Sequence, residues 1–154
     1  MTEYYNEKLQ AGLAYQDFII DKLRKTDPCI IIPTYSSCRY QNERGESACG
    51  VEIKHDMMLK KTGNLYIEVA EKSNPSIEEY TPSGIMRSDN TWLYIIGDYT
   101  QVFVFAKNQL KTIYANRQLW LKRGIREVQK DTSIGFLFPV ENALEGACLK
   151  HYVF

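Results

Sequence analysis

Apolar residues recur at helical spacing between residues 4 and 25: Leu9, Leu13, Ile20 and Leu23, with polar residues between them. The pattern predicts an amphipathic helix. Asp27-Pro28 ends it, because the residue before a proline is pushed out of the helical region. Gln16 falls on the same stripe, an odd place for an amide unless it meets something polar. Cys29-Ile30-Ile31-Ile32 reads as a short strand, and the polar stretch 36–47 as a loop. Residues 50–56 and 65–72 then alternate strictly, on either side of the turn-like Lys60-Lys61-Thr62-Gly63-Asn64. This predicts an antiparallel hairpin. Val51, Ile53, Leu65, Ile67 and Val69 would form its apolar face. Glu52, Lys54, Asp56, Tyr66, Glu68, Ala70 and Lys72 would form the other. With the turn centred near Thr62, Asp56 stands opposite Glu68, Lys54 opposite Ala70 and Glu52 opposite Lys72.

Residues 73–91 are rich in Ser and Pro and irregular. Strands follow at 92–96 and 101–105, around Gly97-Asp98. A helix is expected over 107–123, with Leu110, Ile113, Tyr114 and Trp120 inward and Gly124 ending it. A last strand covers 134–140. No repeat or linker divides the chain, so its 154 residues are expected to form a single domain, 1–154, around one core.

Composition narrows the function classes. No apolar run approaches the roughly 20 residues of a bilayer span, and the N-terminus lacks a basic-then-apolar leader. The expectation is a cytoplasmic protein with no membrane partner. Four cysteines without a C-x-x-C pair, and only two histidines, argue against a zinc site or a disulfide framework. The formal net charge is zero, but the charge is uneven. Between 107 and 130 lie Lys107, Lys111, Arg117, Lys122, Arg123, Arg126 and Lys130 against Glu127 alone. A phosphate-facing side would look like this, and so would a solvated helix face.

Asp56 and Glu68 carry the candidate chemistry. Opposed carboxylates repel, unless a hard cation that prefers oxygen ligands and shares them with phosphate lies between them. A solvated face neutralised by Lys54 and Lys72 accounts for the same residues. The order of elements adds to this. Gly12-Leu13-Ala14-Tyr15-Gln16 lies on the first helix, and Asp56 ends a strand. Leu65-Tyr66-Ile67-Glu68-Val69-Ala70 follows, with Glu68 twelve residues after Asp56.

Over residues 8–105 this order resembles the PD-(D/E)XK nuclease superfamily. The resemblance implies an α/β (α+β) restriction-endonuclease-like fold, a central mixed sheet flanked by helices. It implies hydrolysis of DNA phosphodiesters with Mg²⁺ or Mn²⁺ held by Asp56, Glu68 and the carbonyl of Val69. Gln16 stands in place of the family's helix glutamate, and its amide oxygen can accept from a metal-bound water. Ala70 stands in place of the family's lysine, so either Lys72 or Lys54 would supply the amine. Ser83 and Ser88 of the following loop, and Lys111, Arg117, Lys122 and Arg123 of the basic stretch, would contact DNA. A homodimer is expected if duplex is cut.

Glu52-Ile53-Lys54 also has the E-x-K letters, but no aspartate lies between Asp27 and Asp56 to accompany it. His55 should point away from the face of Asp56. Two rivals stay open: a degenerate module that binds DNA without cutting, and a protein-interaction domain. The sequence fixes neither the preferred DNA structure nor endo- against exonucleolytic cleavage.

Overall fold

A computed structural model describes residues 3–27, 32 and 45–154. The strand expected at 29–32 and most of the loop 36–47 therefore lie outside the described residues. Helix α1 (Glu3–Thr26) matches the expected span. Its deepest residues are Tyr15, Ile19 and Leu23, whereas Leu9, Leu13 and Ile20 flank them half-buried. The buried stripe runs through Tyr15 because its ring packs inward while its hydroxyl donates to the Asp98 carbonyl at 3.2 Å.

The expected hairpin does not form. Strand β1 (Val51–His55) pairs in parallel with β4 (Leu93–Gly97), Val51 opposite Leu93 and His55 opposite Gly97. Strand β2 (Asn64–Glu71) belongs to another sheet. The segment between them is no tight turn. Asp56 Oδ1 accepts the Met58 N–H at 2.9 Å, and a short helix, α2 (Leu59–Thr62), follows. Gly63 closes it in the left-handed region (φ 65°), where a residue without Cβ fits best. That helical turn carries the chain from one sheet to the other, so the pairings Asp56–Glu68, Lys54–Ala70 and Glu52–Lys72 are absent.

The described strands make two four-stranded sheets instead of one central sheet. The first, mixed, has the order β1-β4-β5-β8, with β5 spanning Gln101–Ala106 and β8 Lys150–Val153. The second, antiparallel, has the order β3-β2-β7-β6, with β3 at Thr81–Pro82, β6 at Arg126–Gln129 and β7 at Ser133–Pro139. The chain is thus mixed α+β. Residues 107–123 divide into helix α3 (Lys107–Ala115) and a 3₁₀ segment (Arg117–Arg123).

Two apolar clusters hold these layers. Tyr15, Ile19 and Leu23 of α1 pack with Val51, Ile53, Ile95, Val102 and Val104 on one face of the first sheet. Tyr94, Ile96, Phe103 and Phe105 of that sheet join Leu65, Ile67, Val69, Phe136 and Phe138 of the second, with Leu110 and Ile113 of α3. The alternation read from residues 65–69 was therefore right in phase: Leu65, Ile67 and Val69 are buried, and Tyr66 and Glu68 are half-buried. Among the described residues no helix is long and apolar enough to cross a membrane.

Candidate functional site

One open cavity of about 790 Å³ lies where β1, α2 and β2 meet, and Lys54, His55, Asp56, Tyr66, Glu68 and Lys130 are among its lining residues. Asp56 and Glu68 thus share a cavity although they belong to different sheets. Asp56 is buried, and its two oxygens accept backbone N–H groups, Oδ1 from Met58 and Oδ2 from Tyr66 at 2.7 Å. The second bond ties the end of β1 to β2. Each oxygen keeps a lone-pair direction for a further partner.

Glu68 accepts the Ser83 hydroxyl at 2.8 Å. Burial pushes the Glu68 carboxyl up from its ordinary range, against the Ser83 hydrogen bond; Glu71 and Glu52 add to the rise and Lys54 opposes it. A bulge interrupts the β2–β7 register between Glu68 and Ala70, and the Val69 carbonyl there accepts the Ser83 N–H at 3.0 Å. Gly84 follows at φ 49°, packed so closely that a Cβ would strike the Glu68 carbonyl. Ser83, expected on a DNA-facing surface, is 2% exposed and braces Glu68 from behind. Ser83→Ala is expected to lower unfolding free energy by about 1–2 kcal/mol, the cost of a lost hydrogen bond to a charged group. Chemical denaturation measures it, and an unchanged midpoint would contradict the bracing role.

Lys54 and Lys72, equivalent in the sequence, separate in space. Lys54 pairs with Glu46 at 2.6 Å and Glu52 at 2.9 Å and keeps 36% of its side chain accessible at the cavity. Burial works against its charge, but Glu46 and Glu52 outweigh burial and hold its pKa above the ordinary lysine range. Lys72 instead donates to the Pro75 carbonyl, stacks over Tyr80 and lines a separate, smaller pocket. Gln16 reaches the cluster through Glu46, donating to its Oε2 at 3.0 Å. Glu52 is buried beside Lys54, and its Oε2 has no hydrogen-bond partner. His55 also lines the cavity and stacks on Tyr15 at 4.2 Å, so it is not turned away from Asp56 as the strand alternation implied. Burial lowers its pKa, against the pull of Asp98 and Asp56.

The basic stretch is less of a free positive face than its letters imply. Lys107 is buried against Asp89 at 2.7 Å. Arg117 pairs with Glu127 and Arg123 with Glu145. Lys111 is half-buried on α3, while Lys122, Arg126 and, in the preceding loop, Ser88 are exposed. Lys130 lies over the Tyr66 ring, 3.4 Å from its centre, at the cavity.

Sequence reasoning missed Glu46 and Lys130 as parts of this site. Glu46 sat in a stretch without periodicity. Its one signal was the lysine two residues beyond Glu52, a charge that needs acids when it leaves water. Among the described residues no three His, Cys, Asp or Glu side chains gather into a metal cage. The donor set is nonetheless hard oxygen: Asp56, Glu68 and the unpartnered Glu52 Oε2. That suits an ion which keeps several waters and takes only one or two carboxylates. No family model matches the chain, and no curated protein or solved structure matches it significantly.

Proposed function

We propose that this protein hydrolyses phosphodiester bonds in DNA with Mg²⁺ or Mn²⁺, on a divergent restriction-endonuclease-like fold in which Asp56 and Glu68 hold the ion. The observation that carries the reading is the shared cavity: Asp56, Glu68 and Lys54 line it together, from two strands that do not pair. A divalent ion bound there supplies Lewis acidity toward the phosphate and a water of lowered pKa. Lys54 supplies the positive charge that the resemblance assigns to the residue at Ala70. It is accessible at the cavity and held fully protonated by its acidic neighbours, so it can stabilise the charge that develops on the phosphoryl oxygens in the transition state. Ser83 and Gly84 fix Glu68, and the amides of Met58 and Tyr66 fix Asp56. Lys130, over Tyr66 at the same cavity, is a candidate for a phosphate contact.

The test is cleavage of plasmid, single-stranded and branched DNA with and without Mg²⁺ or Mn²⁺. Metal-dependent cutting that is lost in Glu68→Gln is the expected result. Lys54→Met should cut roughly 100-fold more slowly, while Lys72→Met keeps the rate of the parent. Equal losses in the two lysine variants would remove Lys54 from its role. Salt-sensitive binding without cutting would identify a binding module, and no DNA binding at all an interaction domain.

A further inference from the structure

Glu52 is buried to 2% exposure on the face of β1 that also carries Lys54. Its Oε1 pairs with the Lys54 ammonium at 2.9 Å, while its Oε2 meets no donor. A carboxylate oxygen withdrawn from water without a partner is unfavourable, and native structures reserve such atoms for a ligand, a water or a proton. The surrounding charge distinguishes among these. Lys54 is shared, because Glu46 holds it at 2.6 Å as well. Glu68, on the neighbouring sheet, lies within electrostatic reach of both Glu52 and Lys54. Three acids therefore face one ammonium, and two negative charges are left over. A single proton neutralises one of them, and a water neither. A divalent cation neutralises both.

We propose that Glu52 is a further acid of the metal site: its free Oε2, together with Glu68, takes a hard divalent cation of the Mg²⁺ or Mn²⁺ class on the inner side of Lys54. Two carboxylates leave the other coordination positions to water and phosphate, as such ions prefer. The inference rests on the metal-dependent reading above and adds a ligand to it. Glu52 then has two tasks, orienting Lys54 through Oε1 and binding the ion through Oε2.

The test is a Mn²⁺ titration of the full chain followed by calorimetry, in parent, Glu52→Gln, Asp56→Asn and Glu68→Gln proteins, each first checked for native circular dichroism. Glu52→Gln is expected to weaken Mn²⁺ binding by about tenfold or more. A second measurement needs no variant: Mn²⁺ added to the parent should broaden the amide resonances of residues 51–54 as strongly as those of 67–69. If Glu52→Gln binds like the parent while Glu68→Gln loses the ion, Glu52 only positions Lys54; the inference falls and the proposed function stands. Broadening confined to 67–69 has the same meaning. If the parent protein takes up no Mn²⁺, both fall together.

Discussion

Asp56→Ala is expected to lose both fold stability and cleavage, and Asp56→Asn to separate the two. The carboxylate accepts the Met58 and Tyr66 amides, one at the start of α2 and one on β2. Alanine leaves both donors without their charged acceptor. At roughly 1–3 kcal/mol for each unsatisfied buried group, the total comes to about 2–6 kcal/mol. Such a loss is a large fraction of the stability of a small domain. Asparagine keeps one carbonyl oxygen in place and removes the charge. It should retain about half of that stability, yet cut DNA roughly 100-fold more slowly or worse. Urea unfolding and a metal-dependent nuclease assay on the same preparations give the two readings. Should Asp56→Ala unfold at the midpoint of the parent, the amide bridges contribute little. Should Asp56→Asn cut at the parental rate, Asp56 has no part in the chemistry.

Lys107→Met is the second large effect. The Lys107 ammonium is buried, bonded to Asp89 at 2.7 Å and to the Arg87 carbonyl at 2.9 Å. Methionine keeps most of the volume and strands the Asp89 carboxylate, with Arg87 only at 3.6 Å. Breaking a buried pair from one side costs roughly 3–5 kcal/mol, and the residual arginine puts this case near about 3 kcal/mol.

The pH dependence should change sign as well. Burial pushes the Asp89 carboxyl up, but the Lys107 ammonium and the Thr91 N–H outweigh it, and its pKa lies below the ordinary value. In the parent protein this contribution is present above the unfolded carboxylate pKa, about 3.9, and is lost as pH falls through the lower folded value. Without Lys107, burial dominates and the folded pKa rises. The contribution is then present below the unfolded pKa and lost as pH rises through the folded one. Unfolding curves across the acid range read this directly. Replacing both partners by apolar residues should recover most of the loss. The pair anchors the start of α3 to the loop that carries Ser83 and Gly84, so its loss should reach Glu68 too.

Local periodicity made much of the architecture legible. The spacing in α1, the apolar runs of β4 and β5 around Gly97-Asp98, and the strand from Ser133 were readable because each pattern is complete within a few residues. The partners of strands were not readable in the same way. Residues 51–55 and 64–71 both alternate, and alternation says which side chains share a face but not which strand lies alongside. The short helix between them has only four residues, too few to announce itself by period. Glu52 was read as part of a solvated face. It is buried because that face of β1 turns toward the second sheet, a tertiary fact with no local signature. Ser83 looked like an exposed turn residue for a similar reason: the bulge at Val69 that receives its amide is a property of two paired strands.

Asp56 and Glu68 stand on separate sheets, and the apolar cluster joining those sheets contains Ile67, Val69, Tyr94, Ile96 and Phe103. The distance between the two acids is therefore set by the thickness of this dry filling, which works as a shim. Trimming or adding a methylene there alters the size of the gap while leaving every charged group untouched. Preference between a small ion such as Mg²⁺ and a larger one such as Ca²⁺, which differ by a few tenths of an ångström in ligand distance, is thereby placed under the control of interior hydrocarbon.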